Sequence, residues 1–141
     1  MNYTIKKLTS VEEMEEMISL IKGLTPDLSP QSYKKMLREM VPHNYHQVAV
    51  FEGKKAIAVS GYWLATKIYC GKYLEVDNLV VHTDHRSKNI GKILMDWMLN
   101  EARESNCQTI LLDAYVENFK AHKFYYREGF IARGFHYLKK I

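Results

Sequence analysis

A short basic segment of this chain runs directly into a helical pattern. The segment reads HRSKNIGKILMDWML, residues 85–99, and its Arg86, Lys88 and Lys92 are positively charged. Gly91 has no Cβ atom, so the backbone there can approach a ligand closely. The first N–H groups of a helix lack partners within it and carry the positive end of the helix dipole, which attracts phosphate. These residues predict a site for a pyrophosphate group.

Two well-known phosphate-binding loops do not fit this segment. A P-loop needs a glycine five residues before its Gly-Lys pair and a Ser or Thr directly after it. Here position 86 is Arg, and Ile93 follows Lys92, so the hydroxyl ligand for magnesium is missing. The dinucleotide-binding fingerprint needs three spaced glycines, whereas this loop has one. Both classes are excluded.

The spacing of apolar residues predicts the elements that must position this loop. Short alternating or continuous apolar runs indicate strands, and longer amphipathic stretches indicate helices. The strands are Tyr3–Leu8, HQVAVFEG, KAIAVSGYWLATKIY, KYLEVDNLVV, QTILLDAYV and FIARGFHYLKKI; the helices are TSVEEMEEMISLIKGL, SPQSYKKMLREMV, GKILMDWMLNEARES and NFKAHKFYYREG. The order β-α-α-β-β-β-α-β-α-β predicts an α/β protein with a mixed sheet and helices on its faces.

Local signals predict where several of these elements begin or end. Ser10 and Glu13 form a capping-box pattern at the first helix, and Ser29 precedes a proline at the start of the second. Gly53 lies in a tight turn between the second and third strands. The apolar run in QTILLDAYV predicts a strand that is buried on both faces.

Length and composition are those of one globular domain. The chain has 141 residues and a net charge of +4, and it is 47% hydrophobic and 26% charged, so we expect a single domain over residues 1–141. The mild positive charge suits an anionic ligand without demanding nucleic acid. Cys70 and Cys107 are too few for a disulfide scaffold and are expected as reduced thiols.

The sequence has no apolar run long enough for a signal peptide or a membrane span. We therefore expect a cytoplasmic protein.

The basic loop resembles motif A of the GNAT superfamily of N-acetyltransferases. That motif reads Arg/Gln-x-x-Gly-x-Gly/Ala after a strand that ends in apolar residues. Here Arg86, Asn89 and Gly91 follow the LVV of residues 79–81. Asn89 replaces the first glycine of the motif. Because asparagine tolerates the left-handed backbone better than most residues with a side chain, the loop is expected to turn as in the family.

A second segment, further along the chain, resembles the same family. NFKAHKFYYREGF, residues 118–130, matches the family pattern Asn-x-x-Ala-x-x-aromatic-Tyr-x-x-x-Gly-Phe. The two motifs and the order of elements cover most of the chain. The resemblance implies the GNAT fold, a mixed and mostly antiparallel twisted sheet with helices on both faces and a strand splay at the cofactor site.

The resemblance also implies acetyl-coenzyme A (acetyl-CoA) as donor and a primary amine as acceptor. Separately, the spacing of the histidines and cysteines leads us to expect no metal. Backbone N–H groups of the strand before motif A would polarise the acyl carbonyl, and the loop would hold the pyrophosphate. The residues expected to bind acetyl-CoA are Leu79, Val80, Val81, Arg86, Ser87, Lys88, Asn89, Ile90, Gly91, Lys92, Asn118 and Tyr125.

Tyr125 matches the family's general acid, which protonates the departing thiolate. The neighbouring Tyr126 is its rival, and packing on an amphipathic helix is the alternative role for both. Asn118 would hold the cofactor or the strand splay, or it would cap the helix that follows it, and these roles are compatible.

Three carboxylates are predicted to serve the acceptor. A lysine-like amine has a pKa of about 10.4, so a base or a water relay is useful near neutral pH. Glu75 and Asp77 are two residues apart on one strand and therefore on one face. Glu75 has the spacing before Arg86 of the catalytic glutamate in histone-acetylating GNATs and is the predicted base, with Asp77 or water as alternatives. Asp77, Glu75 and Asp27 are predicted to contact the acceptor. The simpler alternative for Glu75 and Asp77 is that they only form a solvated face of the strand.

Aromatic and histidine residues near the site have less specific roles. Tyr62 and Trp63 are candidates to line the acceptor pocket, although strand aromatics more often pack. A zinc site needs three or four ligands, and the histidine pairs 43/46 and 82/85 supply two each. His82 and His85 are therefore expected as cofactor neighbours or surface residues.

Two other functions stay open from the sequence. An acyl-CoA-binding sensor with weak turnover would suit Asn89 in the place of glycine, and an RNA-directed enzyme would suit the basic balance and the YLKKI tail. The expected partner is a small-molecule or peptide amine. Membranes and nucleic acids are not expected partners, and a homodimer stays open.

Overall fold

A computed structural model describes residues 2–141 and gives them five strands and five α-helices. The strands are β1 (Tyr3–Leu8), β2 (Tyr45–Glu52), β3 (Lys55–Lys67), β4 (Gly71–Val81) and β5 (Thr109–Leu112). The helices are α1 (Val11–Glu15), α2 (Ile18–Ile21), α3 (Pro30–Met40), α4 (Ile90–Glu104) and α5 (Phe119–Arg127), and 3-10 turns lie at Val41–His43 and Thr83–His85. The chain divides into two compact units, one ending at Leu111 and the other Leu112–Ile141.

The strands form one sheet in the order of the chain, β1-β2-β3-β4-β5. Strands β1 to β4 are antiparallel neighbours. The turn between β2 and β3 contains Gly53, whose φ of +61° suits a glycine. The helix α4 connects β4 to β5, and adjacent strands joined by a helical crossover are parallel. The sheet is therefore mixed and mostly antiparallel, and this prediction is confirmed.

Helices cover both faces of the sheet, as predicted. On one face, a buried cluster that includes Met14, Leu37 and Val59 joins α1, α2 and α3 to the sheet. On the other face, α4 packs against β2, β3 and β4. Tyr62 contacts Trp97 of α4, while the next residue, Trp63, packs against the first cluster. Successive strand residues point to opposite faces, so the two helical layers lie on opposite sides.

The segment predicted as one helix after β1 is divided into α1 and α2. Its start has the expected cap, since the Ser10 hydroxyl oxygen accepts a hydrogen bond from the N–H of Glu13 at 3.1 Å. At Met17 the backbone has φ −82° and ψ 3°, and the N–H groups of Met17 and Leu20 bond to carbonyls three residues back. This tighter winding aligns residues three apart. As a result Met14, Met17 and Leu20 are all buried.

The prediction of a strand in FIARGFHYLKKI is wrong. Residues 130–141 have no strand or helix assigned, and Phe135, Tyr137 and Leu138 are each at least 78% exposed. An apolar, β-prone sequence is not sufficient, because a strand also needs packing and pairing with neighbours. The strand β5 is shorter than predicted, and its four residues are half-buried instead of buried on both faces.

Candidate active site

A β-bulge interrupts β4 close to its carboxyl end. The register between β3 and β4 shifts by one residue between Val59 and Gly61, so β4 contains one extra residue opposite this point. Asn78 lies there with a φ of +57°, in the left-handed region. A bulge changes the direction of backbone groups and often lies beside an active site. It directly precedes residues 79–81, whose N–H groups are the candidates to polarise an acyl carbonyl.

The half of β4 that contains the bulge has an open edge. The strand β5 starts beside the first residues of β4, where the N–H of Gln108 donates to the carbonyl of Lys72 at 2.7 Å. The hydroxyl of Thr109 donates to the carbonyl of Cys70 at 2.8 Å. With four residues of about 3.3 Å each, β5 accompanies only the first half of β4. Within residues 2–141, β3 is then the one strand paired with the bulged half, in agreement with the expected splay.

Two left-handed residues shape the loop between β4 and α4. Ser87 has φ +65° and Asn89 has φ +62°, so Asn89 takes the conformation expected where the motif has glycine. The left-handed Ser87 was not predicted, since serine has no sequence signal for this backbone. Asn89 is the N-cap of α4, but its side chain makes no capping hydrogen bond. The first N–H groups of α4 thus lack a side-chain cap, and this fits a pyrophosphate ligand.

The side chains of this loop have different surroundings. Arg86 and Lys88 are exposed, and Nε of Arg86 donates to the carbonyl of Val81 at 3.4 Å, which joins the loop to the end of β4. Nζ of Lys92 forms an ion pair at 3.2 Å with Oδ1 of Asp96, one turn further along α4. Ile90 is 1% exposed. Its side chain belongs to the core, so only its backbone is placed to serve a ligand.

The two histidines before the loop stabilise the turn that leads into it. Nδ1 of His82 accepts a hydrogen bond from the N–H of Asp84 at 3.2 Å, and Nε2 of His85 lies 3.6 Å from a carboxylate oxygen of Glu52. His85 is 8% exposed, so the expectation of a surface residue is wrong for His85. Among residues 2–141, no group of three or more His, Cys, Asp and Glu is arranged to hold a metal ion.

Glu75 and Asp77 lie on the same face of β4. The register places Trp63 of β3 opposite Glu75 and Gly61 opposite Asp77, before the bulge changes the alternation. Both carboxylates are half-buried, on the face that α1, α2 and α3 cover. The indole N–H of Trp63 donates to Oδ2 of Asp77 at 2.9 Å. The sequence alone did not indicate this contact.

The two other predicted acceptor contacts lie elsewhere. Asp27 is exposed in the loop between α2 and α3. The start of this loop, and not Asp27, lies near the bulge, because a Cβ on Gly23 would lie 3.4 Å from the Val80 side chain. Tyr62 is fully buried, and its hydroxyl donates to Glu101 of α4 at 2.5 Å. It therefore lies on the opposite face from Asp77, and its predicted role in an acceptor pocket is wrong.

A buried polar network lies beneath Trp63. Nε2 of Gln47 donates to the hydroxyls of Tyr33 and Tyr45 at 2.8 and 3.0 Å, and the Tyr33 hydroxyl donates to the carbonyl of Met14 at 2.9 Å. Burial raises the pKa of both tyrosines, so both stay neutral. The rings of Tyr45 and Trp63 have centroids 4.9 Å apart. Sequence reasoning missed this network, because an alternating strand pattern does not show which polar residue is buried.

The helix α5 holds the remaining predicted residues, in the second unit. Oδ1 of Asn118 accepts a hydrogen bond from an N–H of the first turn at 3.3 Å, so its capping role is present. The ring of Tyr125 contacts those of Phe124 and Phe130, with centroid distances of 5.5 and 5.9 Å, and burial raises the pKa of its hydroxyl. Tyr126 is 60% exposed. Tyr125 therefore has the surroundings of a phenol that keeps its proton.

The first unit contains the carboxylates and the bulge, which lie on β4, and the loop of residues 86–92, which follows the turn after β4. The contact candidates of the second unit are Asn118 and Tyr125, both on or beside α5. In residues 2–141, no helix is long and apolar enough to cross a membrane.

Known proteins with similar sequences are acetyltransferases. The model of the Acetyltransferase (GNAT) family matches residues 12–130. The chain is 28% identical to an uncharacterized N-acetyltransferase of Bacillus subtilis (strain 168) over 139 residues, 97% of this chain and 98% of that protein. It is 24% identical to the glucosamine 6-phosphate N-acetyltransferase of Arabidopsis thaliana over 124 residues, 82% and 83% of the two chains. A shorter match of 67 residues, 48% of this chain and 44% of the relative, is 33% identical to the aminoalkylphosphonate N-acetyltransferase of Salmonella typhimurium.

A solved structure shows the same fold. An aminoglycoside N-acetyltransferase in complex with CoA superposes with a TM-score of 0.84 at 16% identity, over 99% of this chain and 96% of that one. The residues that the family model matches include those of the bulge, the loop of residues 86–92 and α5. This chain belongs to the GNAT family of acetyltransferases.

Proposed function

We propose that this chain acts as one domain over residues 1–141 that transfers an acetyl group from acetyl-CoA to a primary amine of a small molecule. The observation that carries the proposal is the start of α4. There a basic loop with two left-handed residues leads into a helix without a side-chain cap, one turn after a bulged strand with an open edge. A phosphate-bearing thioester needs these two features, the first for its pyrophosphate and the second for its acyl carbonyl.

The chain's own groups would bind and polarise the donor. The N–H groups at the start of α4, with Arg86 and Lys88, hold the pyrophosphate. A backbone N–H group within residues 79–81 that faces the open edge donates to the carbonyl oxygen, where negative charge develops during attack. Acetyl-CoA, when bound, supplies the activated thioester.

Two side chains would move the protons. Glu75, directly or through a water molecule, takes a proton from the acceptor's ammonium group, so that a neutral nitrogen attacks the carbonyl carbon. As the C–N bond forms, the C–S bond breaks, and Tyr125 donates its hydroxyl proton to the leaving sulfur. The extra proton on the new amide nitrogen then leaves through water and restores the Tyr125 hydroxyl. Burial of Tyr125 supports this role, because its raised pKa keeps the proton available near neutral pH.

Small amines that also carry a phosphate or phosphonate are the acceptors we would test first. The relatives from Arabidopsis thaliana and Salmonella typhimurium are named for glucosamine 6-phosphate and for aminoalkylphosphonates. Both names describe a primary amine on a small anionic molecule, and the +4 net charge of this chain suits such a ligand.

The test combines a thiol-release assay over an amine panel with calorimetry of acetyl-CoA binding. We expect thiol release that depends on the amine, and we expect Gly91→Asp to weaken acetyl-CoA binding at least about tenfold. An aspartate in the first turn of a helix favours folding, so the loss would reflect repulsion of the pyrophosphate. Asn100→Asp adds the same charge further along α4 and serves as the control. Equal affinity of the unchanged protein and Gly91→Asp would remove the pyrophosphate from this loop.

A further inference from the structure

We propose that Trp63 is a positioning residue that holds the Asp77 carboxylate as the binding site for the acceptor's ammonium group. The inference rests on the proposed acetyl transfer at β4 and adds a residue to it. The indole N–H of Trp63 donates to Oδ2 of Asp77 at 2.9 Å, across two neighbouring strands. A hydrogen bond from a neutral donor fixes the direction of a carboxylate and leaves its negative charge in place. A protonated amine has the chemistry that complements such a group.

The position of Asp77 along β4 suits this role. Asp77 directly precedes Asn78, where the strand bulges, so of the two carboxylates on β4 it is the one nearer along the strand to the N–H groups proposed to polarise the acyl carbonyl. Glu75 lies two residues earlier, about 7 Å further along the strand. An ammonium group bound by Asp77 would keep its nitrogen close to the carbonyl, with Glu75, the proposed base, on the same face of the strand.

The surroundings of Trp63 make its indole rigid. Its ring packs on Tyr45 with centroids 4.9 Å apart, and Tyr45 is 1% exposed. The Tyr45 hydroxyl is held by Gln47 at 3.0 Å. Gly61 lies opposite Asp77, and a Cβ there would come within 2.3 Å of that hydroxyl. The absence of a side chain at this one position therefore lets Tyr45 lie beneath Trp63 and support it.

The experiment compares Trp63→Phe and Asp77→Asn in steady-state kinetics. The acceptor is whichever of glucosamine 6-phosphate, 2-aminoethylphosphonate and spermidine the unchanged protein acetylates fastest. We expect Trp63→Phe to raise the KM for this amine by about tenfold with a smaller change in kcat, the pattern of a lost binding interaction. The KM for acetyl-CoA should change less than about twofold. Asp77→Asn should raise the amine KM at least as much, because it keeps an oxygen for the indole and removes the charge.

The double variant and a matched control separate positioning from folding. If Trp63 acts through Asp77, adding Trp63→Phe to Asp77→Asn should have little further effect on the amine KM. Trp97→Phe makes the same substitution on the opposite face of the sheet, where Trp97 contacts Tyr62, and should leave the amine KM unchanged.

Three results would overturn the inference. An unchanged amine KM in Trp63→Phe, in a protein that does transfer acetyl groups, would refute this inference alone. A Trp63→Phe variant in which the acetyl-CoA KM rises as much as the amine KM would show a structural role. An unchanged protein that neither binds acetyl-CoA nor acetylates any amine of the panel would overturn the proposed function, and this inference with it.

Discussion

Asn89 shows how a single residue of the loop departs from the motif and still takes its shape. A left-handed backbone is free of strain for glycine and is tolerated by asparagine, and Asn89 has a φ of +62°. We expect Asn89→Gly to keep or improve the affinity for acetyl-CoA, because it frees the turn from a side chain that makes no capping bond. Calorimetry measures this affinity. A large loss would mean that the Asn89 side chain itself contacts the ligand.

Tyr125 is the residue that sets the expected pH dependence. An acid must be protonated to act, so its activity falls as pH rises through its pKa. Burial raises the pKa of Tyr125 above that of an ordinary tyrosine. We therefore expect kcat not to fall on the alkaline side until the pH exceeds about 10. Tyr125→Phe should lower kcat by about 100-fold and leave the KM for acetyl-CoA nearly unchanged.

A pH profile of kcat tests the same assignment in a second way. The alkaline limb should disappear in Tyr125→Phe if it reports phenol ionisation. Tyr126→Phe is the matched control, since Tyr126 is exposed and lies about 100° around the helix. A large effect in Tyr126→Phe and none in Tyr125→Phe would show that the motif is aligned one residue out of place.

At the scale of elements, the β3–β4 pair depends on close packing beneath the bulge. A Cβ on Gly61 would lie 2.3 Å from the Tyr45 hydroxyl, and Tyr45 is too deeply buried to move freely. We expect Gly61→Ala to lower the free energy of unfolding by about 1–3 kcal/mol, as overpacking does. Gly134→Ala is the control, because nothing lies within 4 Å of a Cβ there. Urea unfolding of both variants measures the difference, and equal stability would show that Tyr45 can shift.

The contact between α4 and the sheet includes a charged group with a distinct pH signature. Glu101 accepts from Tyr62 at 2.5 Å and pairs with Lys7 at 3.0 Å. Burial alone would raise the pKa of Glu101, but these two partners outweigh it and lower the pKa. A lowered pKa in the folded state stabilises the protein above the unfolded pKa, and this contribution is lost as pH falls through the folded value.

Glu101→Gln therefore has a predicted sign at each pH. It should lower the free energy of unfolding by about 1–2 kcal/mol at pH 7, the scale of a hydrogen bond to a charged group. The difference from the unchanged protein should shrink below about pH 4. Glu104→Gln, on the same helix, is the control and should change little. A difference that stays constant from pH 7 to pH 3 would show that the charge of Glu101 is not what matters.

At the scale of the whole molecule, acetyl-CoA should stabilise the chain as one cooperative body. A ligand that binds only the folded state adds about 2.7 kcal/mol at 100 times its Kd, which corresponds to a rise in Tm of about 9 °C for a chain of 141 residues. The family match covers residues from both compact units. We therefore expect a single thermal transition that moves as a whole. Two transitions, of which acetyl-CoA shifts only one, would contradict the proposed single domain.

The sequence by itself determined the features that depend on nearby residues. The Ser10, Ser29 and Asn118 caps, the Gly53 turn and the basic start of α4 are each decided by a few adjacent positions. Their hydrogen bonds and backbone angles form within one turn of chain, so the residues that specify them are neighbours in the sequence.

Tertiary structure decided the features that depend on residues far apart in the chain. The bulge at Asn78 follows from the register of β3 on β4, and the contact between Trp63 and Asp77 requires both strands. Tyr62 and Trp63 lie on opposite faces of the sheet, and only the face that α4 covers decides which of them packs against that helix. The end of the chain is exposed because residues 130–141 do not pair as a strand. Strand pairing and burial are properties of the partner as much as of the strand. For this reason the periodicity of one segment could not predict them.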